Sequence, residues 1–496
     1  MTNDAQKARV IVTTDMEVDD MNSIIHLALY LCDLDVEAFV YTSSQYHFQG
    51  DGTHTLAEAN PHWRTKGRRS YELPVPGPNP DPEAGKLKRY RPFPEGWLEK
   101  LWANEYAQAY PYLSANAEGF PTPEELVART YVGNIAFEGD VREETAGSEV
   151  IRAAIMDDDP RTLWLLSWGG MNTIVRALMS IANEHQNTPA WEDVQAKVYR
   201  KVRVMGVMDG VGQDNSWLDH GVALFPELTF WRVPFAYGGY VDAKFAQPDT
   251  IEPFKAPWPE RNITQGNGPL MGRFMLYGDG RHYEDEPERF QFGEHATLDW
   301  GFPGVKPLVF DAGDFMAEGD SMTYIPLLPF GLRGADDPRF DTVLGRMFRD
   351  GDEAPKGAPS FTSMGRLFEP KTTNPNPFLR AYQEDFAARA QWCAHAYEAC
   401  NHAPVITDVC ADAAVQAGEA FPLSATVSDP DGDGLTCTWH LYAPDGSSAW
   451  MAEGAQAVFP VPADAESGDR YVLTLVVRDD AERPMTSYAQ VALCIA

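Results

Sequence analysis

Short apolar runs and a helical pattern alternate at the start of the chain. Residues 8–14 are apolar and β-branched and end at acidic residues, which is typical of a buried strand. Residues 20–31 carry apolar side chains at helical spacing, and residues 35–42 form a second strand-like run. A strand, a helix and a second strand in this order predict a parallel sheet with helices packed on its faces.

The same alternation returns after residue 96 and extends to about residue 400. Helices are predicted at 96–110, 123–134 and 148–156, and Ser148 is the expected N-cap of the third. The remaining elements predicted for this unit are strands at 162–168, 202–208 and 228–234, a helix after Gly169-Gly170, a loop-rich stretch at 250–320 and a long helix at 376–400.

Two segments depart from this pattern. Residues 46–95 are rich in Gly, Pro, His and Arg, and a stretch of this kind is either an insertion over a functional site or a disordered loop; its aromatic residues favour order. After residues 402–408, short alternating strands and turn clusters predict an all-β sandwich of immunoglobulin type, with Trp439 in its core. We therefore expect an α/β domain at 1–400 and a sandwich domain at 402–496.

Charge narrows the range of partners. The 496 residues carry 40 Lys and Arg against 73 Asp and Glu, a formal net charge of −33. This charge would repel nucleic acid and anionic membranes, whereas neutral ligands, cations and uncharged polysaccharides stay open. No apolar run approaches the ~20 residues that span a bilayer. High solubility is the simplest interpretation of the charge.

The amino terminus and the cysteines leave the compartment open. The first residues show no secretory leader pattern, so the sequence fits a secreted or periplasmic protein whose leader was removed, or a cytoplasmic one. Six cysteines in a chain of this length do not form a disulfide scaffold. Cys410 and Cys494 fall in strand-like segments, which leaves a bridge between them open.

Three aspartates cluster where the first strand ends and the first helix begins. Asp15, Asp19 and Asp20 lie within six residues, and ligands of open α/β sheets bind beyond the carboxyl ends of the strands. Carboxylates at this density suit Ca²⁺ or Mg²⁺. The alternative is an acidic helix start that only complements the helix dipole.

This run resembles the opening of the nucleoside hydrolases, in which a strand leads into Asp-Thr-Asp-x-x-x-Asp-Asp. Thr13 stands at the first of these aspartates, and Asp15, Asp19 and Asp20 match the other three. Three later stretches, TLWLLSWGGMNTIVRAL, RVMGVMD and EGDS, agree in order and spacing. The chain resembles most closely the cellulose-binding proteins with a nucleoside-hydrolase-like domain and a β-sandwich, through EVDDMNS, SWGGMNT, AEGDS and SDPDGDGLTCTWHLY.

The resemblance implies a nucleoside-hydrolase-like sheet with helices on both faces, and a site in which calcium chelates two sugar hydroxyls and holds the attacking water. Asp15 would be ligand and catalytic base, and Asp19 would hold the sugar. The implied metal ligands are Asp15, Asp20, Asp320 and the carbonyl of Asn172, and the implied substrate contacts are Asp19, Gln45 and Met205.

Two departures from the family alter the expected substrate. The late family histidine near the leaving base aligns with Gly319. The family's Glu-Phe-Asn sugar segment is replaced by a stretch that includes Asn215 and Trp217. We therefore expect a different glycoside, such as a furanoside linked through oxygen. Asn215 is a candidate sugar contact, and Trp168 and Trp217 are either stacking platforms for sugar or core residues.

Three weaker candidates complete the site inventory. His47 and His54 could supply the acid for the leaving group, or they are solvated loop residues. Asp429, Asp431 and Asp433 could bind a structural calcium, but an acidic turn is the simpler interpretation.

Three functions follow from these expectations. The first is a calcium-dependent glycoside hydrolase that acts on a furanoside or a related saccharide, so we lean towards an enzyme. The second is a non-catalytic protein that binds cellulose or another polysaccharide, and the third is a nucleoside N-ribohydrolase. The expected partner is a saccharide or glycoside, with no nucleic acid and no membrane, and the oligomeric state is open.

Overall fold

The structure is a computed structural model. It describes residues 7–44, 47–50, 96–207, 214, 216–233, 251–279, 297–298, 308–309, 311–315, 318–335, 337, 340–346, 348–350, 360–362, 378–445 and 447–496. The predicted insertion therefore lies almost wholly outside the described residues, as do the candidates Gln45, His54 and Asn215.

A twisted eight-stranded sheet organises the first domain, in the order β13-β14-β6-β5-β4-β1-β2-β3. All neighbouring pairs from β14 to β3 are parallel, and β13 adds an antiparallel edge strand. The strands up to residue 362 are β1 Ala8–Thr14, β2 Leu34–Tyr41, β3 Thr130–Val132, β4 Leu163–Trp168, β5 Val202–Val207, β6 Thr229–Val233, β7 Leu276–Tyr277, β8 Thr297–Leu298, β9 Leu308–Val309, β10 Asp314–Phe315, β11 Asp341–Thr342, β12 Gly345–Arg346, β13 Phe348–Asp350 and β14 Ser360–Thr362.

Helices connect these strands and cover the sheet. They are α1 Val18–Leu27, α2 Trp97–Leu101, α3 Ala107–Asn116, α4 Pro123–Ala128, α5 Ala146–Met156, α6 Asn172–His185, α7 Trp191–Lys201, α8 Val222–Leu224, α9 Gly268–Gly272, α10 Ser321–Tyr324 and α11 Leu379–Gln391. Three π-helical turns lie at Trp102–Tyr106, Trp217–Gly221 and Glu260–Thr264, and four 3₁₀ turns lie at Ala28–Tyr30, Glu252–Phe254, Ile325–Leu327 and Tyr397–Ala399.

The alternation of side chains along the central strands produces a core on each face of the sheet. In β1, Val10 and Val12 belong to one buried cluster, whereas Ile11 belongs to the other. Because successive residues of a strand point to opposite faces, an almost continuous apolar strand needs cover on both sides. The expected sheet with helices on both faces is thus confirmed.

Three predicted element boundaries were wrong. The helix expected at 123–134 ends at Ala128, and β3 begins at Thr130 because its β-branched and aromatic residues pair with β2. Thr145, not Ser148, is the N-cap of α5: its hydroxyl accepts the Ser148 amide at 3.1 Å, and Ser148 completes a capping box. The helix expected at 376–400 is α11, which is shorter and ends at Gln391.

The C-terminal domain is a β-sandwich, as predicted. A five-stranded sheet of order β16-β23-β22-β19-β20 accompanies two strand pairs, β15-β18 and β17-β21. The strands are β15 Val405–Thr407, β16 Ala413–Val415, β17 Ala420–Ser424, β18 Thr426–Ser428, β19 Leu435–Tyr442, β20 Ser448–Glu453, β21 Gln456–Pro460, β22 Arg470–Asp479 and β23 Thr486–Ile495. Trp439 is fully buried at the centre of the core, which confirms its predicted place.

The sandwich packs against the first domain through α11 and the segment that follows it. The Asn401 amide donates to Asp479 at 2.9 Å, and the ring of Phe378 lies 5.0 Å from that of Tyr488. Arg478 of β22 forms an ion pair with Glu384 of α11. The two domains are therefore joined by apolar, hydrogen-bonded and charged contacts together.

Two further features concern the cysteines and the helices. All six cysteines are unpaired, so the bridge left open between Cys410 and Cys494 is not formed. Within the described ranges, none of the helices combines the length and the apolar character needed to cross a lipid bilayer.

Two tryptophans on neighbouring strands of the sandwich test this packing. Trp439→Ala removes a fully buried ring, and we expect it to destabilise the sandwich by about 3–5 kcal/mol. Trp450→Ala truncates a ring that is 50% exposed, so its effect should stay within about 1 kcal/mol. Chemical denaturation of both variants, followed by circular dichroism, checks this; equal losses would show that Trp439 does not organise the core.

Candidate metal centre

Asp15 lies at the carboxyl end of β1, in the middle of the sheet. Its amide donates to the carbonyl of Trp168 at 3.0 Å, at the end of β4. On the other side of β1, the amide of Thr42 donates to the carbonyl of Thr14 at 2.8 Å. The backbone of Asp15 is thus held by its neighbouring strands, and the carboxylate lies where open α/β sheets bind ligands.

A strained turn follows Asp15. Met16 has φ +59°, a left-handed conformation that a residue with a side chain rarely adopts. The hydroxyl of Thr14 accepts the amide of Met16 at 3.0 Å and donates to the Asp20 carboxylate, so it ties the turn to the helix that follows. Backbone strain of this kind clusters at functional sites, and here it sets the position of Asp15 relative to α1.

The first turn of α1 brings Asp19 and Asp20 to the same edge, and both side chains are buried. Asp320 reaches them from a turn about 300 residues later in the chain. One carboxylate oxygen from each of the three lies within 4.8 Å of the other two. The structure thus brings together three of the predicted site residues, with Asp15 close enough to act on the charge of Asp20 and Asp320.

Three contacts hold the turn at residues 318–321 against α1. The amide of Gly319 donates to Asp19 Oδ2 at 3.2 Å, and the amide of Ser321 donates to the Ser23 hydroxyl at 3.1 Å. Deeper in the core, His26 Nδ1 lies 2.8 Å from Glu318 Oε2. These contacts fix Asp320 beside the α1 aspartates without using the Asp320 side chain itself.

The carboxyl groups of Asp20 and Asp320 resist ionisation. Burial raises the pKa of Asp20 well above its ordinary value, and the charges of Asp320, Asp15 and Asp19 raise it further, while the Thr14 hydroxyl opposes the shift. Burial and the charges of Asp15 and Glu17 likewise raise the pKa of Asp320, although a hydrogen bond with Asp20 opposes this. Like charges that are buried together need a counter-charge to be ionised at neutral pH.

The donor set fits a hard cation. Asp19, Asp20 and Asp320 offer carboxylate oxygens at mutual distances that one ion can bridge, and oxygen is the ligand that Ca²⁺ and Mg²⁺ prefer. Among the described residues, the neighbouring charges that most affect Asp20 and Asp320 are carboxylates, with no lysine or arginine. The arrangement thus supplies negative charge that a bound cation would balance.

His47 joins the site beside Asp15. Its Nδ1 lies 3.8 Å from Asp15 Oδ2 and 3.7 Å from Glu17 Oε2, and the side chain is buried. These three residues form a second group whose ligand atoms lie within 4.8 Å of one another. The sequence suggested His47 only as one of two loop histidines, because nothing in the local pattern shows that the chain returns to Asp15 at this point.

The paired glycines after β4 allow two carboxylates to approach. A Cβ at Gly169 would lie 3.0 Å from the Asp15 side chain, and one at Gly170 would lie 2.3 Å from Asp214 Oδ2. Asp214 in turn accepts the Asn172 amide at 2.9 Å, at the start of α6. Asp214 therefore caps α6 and complements its dipole, a role that the sequence did not predict.

Asn172 stands at the first residue of α6, behind the aspartates. Its side-chain amide donates to Ser43, to the Asn134 carbonyl and to the Asp140 carbonyl, and its oxygen accepts the Thr42 hydroxyl at 2.7 Å. This buried side chain joins the loops that follow β2, β3 and β4. The role of its carbonyl as a metal ligand stays a prediction.

The two candidate tryptophans and Met205 are core residues. Trp168 is fully buried, its ring lies 6.2 Å from that of Tyr324, and its indole N–H donates to Thr323 at 2.6 Å. Trp217 is fully buried against Phe230, with ring centroids 4.6 Å apart, and Met205 is also fully buried. This burial favours core packing, the alternative already open for Trp168 and Trp217, and the substrate contacts of these two residues and of Met205 stay predictions.

The acidic stretch of the sandwich forms a turn. Asp429 Oδ1 accepts the amides of Asp431 at 2.8 Å and of Asp433 at 3.1 Å, which is the geometry of an acidic turn. The three carboxylates nevertheless offer oxygens within 4.8 Å of one another. Since exposed acidic turns are common without an ion, this group serves best as a control for the buried centre.

Comparison with known proteins identifies both domains. The family model for "Cellulose-binding Sde182, nucleoside hydrolase-like domain" matches residues 9–347, and that for "Cellulose-binding protein Sde0182, C-terminal domain" matches residues 420–495. No curated protein matches the chain.

Two solved structures are similar to the chain. A nucleoside hydrolase-related hypothetical protein from Saccharophagus degradans, associated with carbohydrate metabolism, shares 22% identity over 99% of this chain and 100% of its own, with a TM-score of 0.66, which shows a common fold. The PKD domain of an M14-like peptidase from Thermoplasmatales archaeon SCGC AB-540-F20 shares 18% identity over 19% of this chain and 98% of its own, but its TM-score of 0.15 is too low to inform the fold. With its fold, its acidic centre and two matched domains, the chain belongs to the cellulose-binding Sde182 family, whose members carry a nucleoside hydrolase-like domain.

Proposed function

We propose that the first domain is a calcium-dependent glycoside hydrolase that cleaves a furanoside or a related saccharide. The observation that carries this proposal is the convergence of Asp15, Asp19, Asp20 and Asp320 in a buried site at the carboxyl edge of the sheet. Burying several like charges together destabilises a protein. A cluster of this kind therefore indicates that a function depends on it.

The carboxylates favour calcium as the cation. Asp20 and Asp320, with one oxygen of Asp15 and the predicted Asn172 carbonyl, would form an all-oxygen shell, which Ca²⁺ accepts with more varied geometry than Mg²⁺ does. When bound, calcium would neutralise the aspartates, orient sugar hydroxyls and lower the pKa of a water. Asp19, whose Oδ2 accepts the Gly319 amide, would hold a hydroxyl of the sugar.

Asp15 is the group proposed to take a proton from the attacking water. Its backbone is fixed by β4 and by the strained turn at Met16, so its carboxylate needs little rearrangement. His47, whose Nδ1 lies 3.8 Å from Asp15 Oδ2, is placed to exchange a proton with this carboxylate. Asp15 is therefore the residue whose charge the reaction requires.

Gly319 argues against ordinary nucleosides as substrates. The resemblance places a leaving-group histidine at this position, and here only a backbone amide is present, which donates to Asp19. A purine or pyrimidine departs more readily when protonated, whereas a sugar alkoxide can take its proton from another acid, such as His47. Nucleoside N-ribohydrolase activity therefore ranks third.

A non-catalytic polysaccharide-binding role is the second candidate, and Trp450 supports it. This tryptophan lies on β20, an edge strand of the five-stranded sheet, and half of its surface is exposed. Its ring packs edge-on against His440 at 5.0 Å, which holds it in place. Exposed, fixed aromatic rings offer the flat apolar surface on which the C–H faces of sugar rings stack.

Asp20→Asn tests the metal centre through the stability of the protein, which we expect to be unchanged or higher than in wild type without calcium and lower than in wild type with it. Without metal, the neutral amide removes part of the repulsion, so in chelator the variant should unfold at the same temperature as wild type or a few degrees higher. Wild type should gain stability with calcium, by about 2.7 kcal/mol at a hundredfold excess over Kd, and the variant should lose this gain. Differential scanning calorimetry with EDTA or calcium, together with metal analysis by mass spectrometry, gives both readouts.

Asp433→Asn is the matched control, because it neutralises an aspartate of the exposed turn in the sandwich. It should keep the calcium-dependent gain and the bound metal of wild type. If Asp433→Asn lost the gain and Asp20→Asn kept it, the calcium would belong to the sandwich and the proposed centre would be wrong.

Asp15→Asn tests catalysis. The change keeps the size of the side chain but removes the base, and we expect hydrolysis of nitrophenyl furanosides to fall by about 10²–10⁴-fold with the fold intact. Nitrophenol release from arabinofuranoside and galactofuranoside, with and without EDTA, measures it, and inosine and uridine test base release in parallel. Equal rates in wild type and variant would remove the hydrolase proposal; base release from inosine would favour a nucleosidase.

Trp450→Ala tests the binding role. If the sandwich holds cellulose through this ring, the variant should lose most of its retention on microcrystalline cellulose, by about 1–3 kcal/mol per stacked ring as judged from aromatic contacts in general. Depletion assays with Asp20→Asn as the control measure this, since a surface platform does not need the metal centre. Unchanged retention in Trp450→Ala, with loss in Asp20→Asn, would instead place saccharide binding in the first domain.

A further inference from the structure

A cavity lies between the two domains, beside α11. Its volume is about 320 Å³, which is at the lower end of the range for small-molecule sites. Its lining includes Trp258, Asn262, Glu384, Arg478, Glu482 and Arg483. Helix α11 and the π-helical turn at Glu260–Thr264 form one wall, and the loop between β22 and β23 forms the other.

The walls carry more positive than negative charge, although the chain as a whole is strongly acidic. Three arginines, Arg380, Arg478 and Arg483, line the cavity together with the buried Glu384 and the exposed Glu482. Arg380 also pairs with Glu252 at 3.1 Å. Glu384 accepts the Arg380 guanidinium at 2.9 Å and also pairs with Arg478. One carboxylate thus serves two arginines across the domain boundary, and the third arginine is not neutralised by it.

Arg483 is the third arginine of the lining, the one that does not pair with Glu384. Its Nη1 is buried and has no hydrogen-bond partner among the described residues. Burial lowers the pKa of Arg483, and the positive charge of Arg261 acts in the same direction, while Glu482 opposes it. A guanidinium remains charged in proteins and has five donors, so Arg483 can offer donors other than the buried Nη1 to an anionic ligand in the cavity that it lines.

The backbone around Arg483 is fixed before any ligand binds. The Asn401 amide donates to the Arg483 carbonyl at 3.0 Å. Asp479, at the end of β22, accepts the amides of Ala481 at 3.2 Å and Met485 at 3.0 Å. The loop that carries Arg483 is therefore anchored at both ends and at its middle, which is the property expected of a preorganised site.

The remaining walls suit a hydroxylated ring. Trp258 is partly buried and supplies an aromatic surface, and Asn262 supplies an amide donor and acceptor. Glu384 and Glu482 supply acceptors for hydroxyl groups. A neutral ligand would leave the Arg483 donor without a charged acceptor, and a doubly charged phosphate would be repelled by two glutamates, so one carboxylate together with several hydroxyls matches these walls best.

We propose that this interdomain cavity binds a small saccharide that carries a single carboxylate, a uronic acid or an oligosaccharide that ends in one. Arg483 donates to the carboxylate, Trp258 contacts the apolar face of the ring, and Glu384 and Asn262 hold hydroxyl groups. Because the walls come from both domains, binding also ties the sandwich to α11. The proposal is independent of the metal centre and of the hydrolase activity proposed above.

Titration of the full chain with D-glucuronate at constant ionic strength tests this site. Calorimetry should show saturable binding with one site per chain, and the unfolding temperature should rise with glucuronate. D-glucose, acetate and inorganic phosphate are the probes that lack, respectively, the carboxylate, the ring and the single charge. Each should bind at least about tenfold more weakly, since a hydrogen bond to a charged group is worth roughly one factor of ten in affinity.

Arg483→Gln should weaken glucuronate binding by about tenfold or more. Arg200→Gln is the matched control, because it removes the same charge from an exposed position on α7. Asp20→Asn and EDTA should leave glucuronate binding unchanged, which separates this site from the metal centre. If Arg483→Gln lowers the unfolding temperature without ligand, Trp258→Leu provides a second loss of binding from the opposite wall.

The proposal is wrong if glucuronate binding does not saturate, or if it is the same in Arg483→Gln and Arg200→Gln. It is also wrong if glucose or acetate binds as tightly as glucuronate does. Tight phosphate binding that depends on Arg483, without glucuronate binding, would overturn it in favour of a simple phosphate site.

Discussion

The first domain depends on the packing of α1 against the turn at residues 318–321. Backbone amides, a serine pair and the buried His26–Glu318 contact hold the two segments together, and the consequence is that like charges are forced into one small buried volume. Apolar packing around the carboxylates offsets the unfavourable energy of this repulsion, since every residue of α1 is buried. A cation would relieve the repulsion, so the packing that brings these carboxylates together also prepares them to bind one.

The sequence predicted the parts of this arrangement that are local. The strand of residues 8–14, the aspartates that follow it and the helix after Gly169-Gly170 are all short patterns with a clear periodicity, and the structure has them where they were expected. The position of Asp320 could be proposed only by resemblance, because no local pattern links it to α1. The proximity of His47 to Asp15 was beyond reach for the same reason, since it depends on how the chain folds back after β2.

Tertiary packing determines features that the sequence left open or predicted wrongly. A tryptophan has no periodic signature that distinguishes a binding platform from a core residue, and Trp168 and Trp217 fill the core on opposite faces of the sheet. Residues 130–132 continued a helical pattern, but pairing with β2 made them an edge strand. Long-range contacts decided both cases, whereas a local capping box decided that Thr145 and not Ser148 is the N-cap of α5.

The contacts across the domain boundary mean that the two units are not interchangeable modules. Phe378 packs on Tyr488 and His440, Glu384 pairs with Arg478, and Phe340 lies in a cluster with Tyr442, Val472 and Ala492 of the sandwich. A chain cut near residue 400 would expose these rings and leave a buried glutamate with only one of its arginines. The sandwich could therefore not be joined to a different first domain without a new contact surface, and the two domains are better regarded as one structural unit than as a domain with a detachable appendage.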